Sequence, residues 1–358
     1  MMIMVLAAFC SDPESRHSFH SVNLQGNPVA DLIGMGLPMQ WLAGLMHVAG
    51  PRESENADRV LVGTDSAAVV GGKGRGSGAG TGESPSMQTD ANAGTHAAAA
   101  GEPGPHRTLK VALVQFDAVP EQPERNLGEM ERLLRQAVSL GARMVMFHEG
   151  AVCDYTPRLD QFAERVPDGP ACRRMGALAR QFDCFVSFGL SERDGPGGDE
   201  RFYITQVFLG PQGLVYRYRK TWLWRDDIEK DKWYRNELTR YDPGTGPERF
   251  MIDGIAATCF ICADGSAPRC LQRAKALRPQ LVFYPNNHPG GMGTFPMYSG
   301  IAREIGAPML VTNRVGDSWP GMCRACPGGT AVFDAQGNVL AKANAEGREE
   351  ILMADLSL

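Results

Sequence analysis

Residues 257–270 read ATCFICADGSAPRC, and the fold follows from how this stretch is divided. The apolar run Ile255 to Ile261 is short and follows Gly254, which suits a buried strand. Cys262 is the first residue past it. An acid, a glycine and then a helical pattern around Arg269 to Leu277 follow, so a thiol sits at a strand-to-helix turn. Cys259 and Cys262 are three apart, which leaves three readings: a metal-ligand pair, a redox pair, or a nucleophile beside a packing cysteine. A redox CxxC opens a helix, where the dipole lowers the thiol pKa, whereas this pair closes a strand. A zinc site would need the second pair, Cys323 and Cys326, which lies too far along the chain for a compact knuckle. Cys262 is therefore read as the nucleophile, with Cys259 and Cys270 as bystanders and Cys323 and Cys326 unassigned.

Outward from this stretch the same strand-and-helix theme repeats. LKVALVQF (109–116) is strand-like, and the helix after it places Leu127, Met130, Leu133, Leu134, Ala137 and Val138 on one face. Asn126 is the predicted N-cap and Gly141 the stop. RMVMF (143–147) is a buried strand that runs into His148 and Glu149, completing a β-α-β unit. A helix at 172–182 and strands at 184–190, 202–209 and 214–220 come next, followed by a polar, Trp-rich loop from Trp222 to Tyr241. After Cys262 the pattern predicts a strand at 281–285, a helix before Gly306, a strand at 308–313, and closing strands with a turn at Gln336, Gly337 and Asn338. Alternating strands and helices followed by hairpins imply an α/β fold built on a mixed sheet.

The first part of the chain reads differently. Gly71 to Pro105 is built from Gly, Ala, Ser, Thr and Pro and holds too little apolar surface to offset the entropy of ordering it. Residues 1–106 are expected to be a weakly structured extension and linker, and residues 107–358 the folded domain. The apolar start MMIMVLAAFC lacks a basic flank and is too short for a membrane span. The stretch at 29–50 carries Asp31, Pro38 and Gln40, so no membrane association is expected. A net charge of −5 supplies no basic field for nucleic acid. Nine cysteines with no framework-like spacing point to a reducing compartment, and cytoplasmic localisation is expected.

Three reactive side chains stand where α/β folds gather their chemistry, at the carboxyl ends of strands: Glu149, Lys220 and Cys262. His148 and His288 do not fit this pattern. A buried carboxylate has a raised pKa and can take a thiol proton, while a nearby ammonium favours thiolate and an oxyanion. Such a set attacks an electrophilic carbon bonded to nitrogen.

The motifs MVMFHEG, YRKTWL, ICAD and TNRVG, in this order over residues 108–358, resemble the carbon-nitrogen hydrolase, or nitrilase, superfamily. The resemblance implies a four-layer α-β-β-α sandwich and a homodimer or larger homo-oligomer. It also implies Glu149 as general base, Lys220 as oxyanion support and Cys262 as nucleophile. Glu237, in NELTRYDPG, corresponds to a second glutamate that orients substrate and lysine, and the backbone N–H of Ala263 would share the oxyanion with Lys220. No metal or organic cofactor is implied. His148 stands where relatives have proline, and Ala267, Pro268 and Arg269 replace a common acid-containing FPE.

The pair Ala263-Asp264 after the nucleophile resembles amidases and N-carbamoyl hydrolases, whereas nitrilases tend to have Trp-Glu there. The expected substrate is a small amide or carbamoyl compound, with a nitrilase, or a silent binding protein of the same fold, as the alternatives. The carboxylate-binding arginines of some N-carbamoyl hydrolases are replaced by Gly265 and Ser266, which leaves Arg269 or Arg314 as candidate anchors. Tyr155, Trp222, Tyr284, Trp319 and Asn286 are candidates to line the pocket.

Overall fold

The computed structural model describes residues 108–225, 236–318 and 325–358. The expected extension 1–106, Trp319, Cys323 and residues 226–235 of the Trp-rich loop lie outside them. The chain enters as β1 (Thr108–Gln115), α1 (Pro123–Ser139), β2 (Met144–Met146), α2 (Leu159–Phe162), α3 (Pro170–Gln181), β3 (Phe185–Asp194), β4 (Arg201–Gly210) and β5 (Gly213–Arg219). It continues with β6 (Phe250–Ile252), β7 (Ile255–Cys259), α4 (Pro268–Ala276), β8 (Leu281–Pro285), α5 (Phe295–Ile305) and β9 (Met309–Thr312). Five further strands complete it: β10 (Val315–Gly316), β11 (Cys326–Pro327), β12 (Ala331–Phe333), β13 (Val339–Lys342) and β14 (Glu350–Ser357).

Two six-stranded sheets result, ordered β14-β1-β2-β3-β4-β5 and β13-β12-β9-β8-β7-β6. Each has a parallel centre, β1-β2-β3 in the first and β7-β8-β9 in the second, with antiparallel strands added outside. The single mixed sheet that periodicity implies is thus two sheets, because a strand buried on both sides looks the same in sequence whichever partner covers it.

Alternation along each strand sorts side chains between layers. On β1, Val111 and Leu113 face the second sheet, whose Phe283, Leu310 and Val332 belong to the same core. Ala112 and Val114 face the other way, onto Leu127, Met130 and Leu134 of α1 and Met175 of α3. Phe208 of the first sheet meets Phe250 and Phe283 of the second, each at 4.9 Å between ring centres. Tyr284, one residue on, turns to the opposite face and packs on Tyr298 of α5. The layers are therefore helix, sheet, sheet and helix, the four-layer sandwich.

Helix α1 starts three residues before the predicted cap. Gln122 is the N-cap and Pro123 takes the first turn, where its missing N–H costs nothing. Asn126 is instead a buried clasp that accepts the N–H of Val119 and donates to the carbonyls of Val119 and Val152. Among the described residues no helix is long and apolar enough to cross a membrane.

Candidate active site

Glu149 follows β2 by three residues and is fully buried. Its loop lies flat on β3 because Gly189 there has no side chain: a Cβ would sit 2.7 Å from Glu149 Cα. The Gly189 N–H holds the His148 carbonyl at 3.2 Å. Glu149 Oε1 accepts the Tyr155 hydroxyl at 2.6 Å and Lys220 Nζ at 2.9 Å. Glu149 Oε2 is buried with no partner. Burial pushes this carboxyl up to about 7, against the opposing pull of the Lys220 ammonium.

Lys220 is the first residue past β5 and is also fully buried. Its second carboxylate is Glu237 Oε1 at 2.7 Å, and Glu237 Oε2 in turn accepts the Trp224 N–H at 2.6 Å. Burial alone would favour the neutral amine, but Glu149 and Glu237 outweigh it and hold Lys220 well above its ordinary value. This is a charged lysine committed to two acids.

Cys262 opens a short 3-10 helix, Cys262–Ser266, at φ +43°. A non-glycine residue in this region costs on the order of 1 kcal/mol or more, so the turn must be held from outside. Tyr284 does part of this by donating its hydroxyl to the Cys262 carbonyl at 2.7 Å. The approach is possible because position 265 is glycine, whose Cβ would collide with that hydroxyl. Burial and then the Glu149 carboxylate push the thiol pKa up, while Lys220 and a hydrogen bond from the Asn287 backbone N–H pull it down.

The structure brings Glu149, Lys220, Glu237, Tyr155 and Cys262 together, with Ala263 next in the turn and buried. Other expectations fare differently. Asn286 donates to the Tyr284 carbonyl and its backbone N–H to Thr312, while its Oδ1 is buried with no partner; Asn287, one residue on, gives its backbone N–H to Cys262. Asn287 Nδ2 also bonds the Glu149 carbonyl at 3.3 Å and Asp154 Oδ1 at 2.7 Å. Tyr284 supports the Cys262 turn through its hydroxyl. Trp222 has 57% of its surface exposed, and its backbone N–H is held by Asp264 at 2.6 Å.

Arg314 is fully buried and committed to Asp154, Asp117 and the carbonyls of Ala118 and Asp317. Arg269 is exposed on α4. His148 and His288 are both held down to about 4, chiefly by burial, so neither carries charge near neutral pH. Cys259 is wholly buried, Cys270 lies 3.7 Å from Asp264 Oδ1, and Cys326 is disulfide-bonded. Among the described residues no group of three His, Cys, Asp or Glu side chains is placed to hold a metal ion.

Comparison with known proteins gives the family. A nitrilase from Pyrococcus abyssi is 24% identical over 184 residues, covering 50% of this chain and 65% of its own. An (R)-stereoselective amidase from a Pseudomonas species is 28% identical over 196 residues, covering 54% and 64%. The chain thus spans just under two thirds of the length of these curated relatives. The solved amidase from Nesterenkonia sp. AN1 in complex with butyramide superposes with a TM-score of 0.60 at 23% identity, over 70% of this chain and 91% of that one. The family described as carbon-nitrogen hydrolase matches residues 110–358, and the chain belongs to that family.

Proposed function

We propose that this protein hydrolyses small, neutral amides through a thioester on Cys262. The observation that carries the reading is the buried Glu149–Lys220–Glu237 set beside Cys262, with one Glu149 oxygen engaged and the other free. Glu149 Oε2 takes the thiol proton, and the Cys262 sulfur bonds to the amide carbon. The carbonyl π electrons move to oxygen, which Lys220 Nζ and the Ala263 N–H stabilise. When the C–N bond breaks, the nitrogen leaves with the proton from Glu149. Water then attacks the thioester while Glu149 takes its proton, the acid product departs, and the proton returns to Cys262. Glu237 positions Lys220 and keeps it charged.

Neutral substrates are favoured over N-carbamoyl amino acids because Arg314 is locked in its own ion pairs and Lys220 is committed to two carboxylates. A substrate carboxylate would meet the Glu149 and Glu237 carboxylates, and Lys220 and Arg314 are already paired. Nitrile hydrolysis is the second reading, since the same thiolate can add to a nitrile carbon.

The test is ammonia release from a panel of aliphatic amides, N-carbamoyl amino acids and nitriles, with Cys262→Ala alongside. Release from amides that disappears in the variant supports the proposal. Turnover confined to nitriles, or release that survives in Cys262→Ala, overturns it.

A further inference from the structure

Asp264 lies two residues past Cys262, is fully buried, and accepts at both oxygens, with the Cys270 thiol 3.7 Å from Oδ1 as a weak further donor. Its Oδ2 accepts the Ile261 N–H at 2.9 Å and the Tyr218 hydroxyl at 2.8 Å. Its Oδ1 accepts the N–H groups of Thr221 at 3.1 Å and Trp222 at 2.6 Å, the two peptide groups that directly follow Lys220. The Ile261 bond alone would make Asp264 a local cap on the Cys262 turn. The Tyr218 bond and the two Oδ1 bonds are not local. They cross from the second sheet, where β7 delivers Cys262, to the first, where β5 delivers Lys220.

We infer that Asp264 is a positioning residue whose carboxylate bridge sets where the Lys220 ammonium stands relative to the Cys262 sulfur. The inference rests on the proposed roles of those two residues. Neither partner is otherwise fixed to the other by a direct bond: Lys220 Nζ spends its hydrogen bonds on Glu149 and Glu237, and the Cys262 turn sits in an unfavourable backbone region. A single anion with four N–H and O–H donors and one weaker S–H donor supplies a rigid link between them.

Asp264→Asn separates this role from simple packing. The amide has the same shape but only one acceptor, so its NH2 must face either the Thr221 and Trp222 N–H pair or the Ile261 N–H. One side of the bridge then opens. Cys262 and Glu149 face Lys220, Glu237, Tyr155, the neutral phenols of Tyr284 and Tyr298, and the Asn287 N–H. Withdrawal of Lys220 removes the one cation among these and makes thiolate harder to form. Loss of the Asp264 charge with the geometry intact acts in the opposite sense, making thiolate easier to form. The sign of the change therefore tells the two apart.

The experiment is the pH dependence of Cys262 alkylation by iodoacetamide, followed on the Cys262 peptide by mass spectrometry, in the full-length wild type and Asp264→Asn. The midpoint should rise in the variant, with labelling at pH 7 falling about tenfold for a shift of about one unit. A midpoint that stays in place or falls in folded Asp264→Asn overturns the inference. Tyr218→Phe keeps the charge and removes one donor from Oδ2, and it should shift the midpoint the same way with about a two- to threefold loss. Where Asp264→Asn does not fold, Tyr218→Phe decides by the same criterion. Labelling requires no turnover, so an inactive wild type counts against the amidase reading and leaves this test intact.

Discussion

Tyr155 donates its hydroxyl to the same Glu149 oxygen that receives Lys220, at 2.6 Å, and so leaves Oε2 as the oxygen free to exchange protons. That hydrogen bond favours the ionised carboxylate. Tyr155→Phe should therefore raise the Glu149 pKa further and move the acid limb of kcat/KM up from near pH 7 by about half a unit to one unit. A pH-rate profile checks it, and an unmoved acid limb would show that Tyr155 merely fills space.

Glu237→Gln keeps an oxygen for the Trp224 N–H and removes a carboxylate from Lys220. The lysine loses an anchor, so kcat for an amide should fall about 100-fold with little change in KM. The charge that raised the Glu149 and Cys262 pKa values is gone at the same time, so iodoacetamide should label Cys262 faster near neutral pH. Slower turnover with faster labelling is the expected pair; labelling and turnover falling together would mean the site had collapsed.

Cys262→Ala should abolish turnover in a folded protein. Cys259→Ala, in the inter-sheet core, should keep kcat within about twofold and cost about 1–2 kcal/mol in a urea titration. Equal loss of activity in both variants, with unchanged stability, contradicts the assignment of Cys262 as nucleophile.

His148 and His288 contribute to the acid limit of stability. His148 is fully buried and His288 half-buried, and both are held down to about 4, against about 6.5 in an unfolded chain. The unfolded state binds more protons between these values, so stability is fully present above about pH 6.5 and is lost as pH falls toward 4. Urea midpoints measured from pH 7 to pH 4 should decline over that window, and His288→Gln should flatten the decline. A flat wild-type curve would contradict it.

Much of this was legible in the chain, for reasons that differ by residue. The face of α1 was readable because Leu127, Met130, Leu133, Leu134 and Ala137 repeat at helical spacing and are the residues it buries. Glu149, Lys220 and Cys262 stood out as reactive groups closing apolar strands. The contact of Asn287 with Cys262 was not legible because it is made by a backbone N–H, which leaves no mark on residue type. Asp264 read as a marker of substrate branch, yet its partners Thr221 and Trp222 are peptide groups far away in sequence. A buried acid directly after an apolar strand was the available signal for such a role.

Glu149 and Lys220 hang from one sheet, while Cys262 and Asn287 hang from the other. Catalysis therefore acts as a gauge of how well the two halves of the sandwich stay seated. A slip of the sheets by an ångström would leave every strand and helix intact and still part Glu149 from Cys262. On warming, inactivation should run ahead of the loss of helical circular dichroism, and a small amide held in the site should bring the two temperatures together.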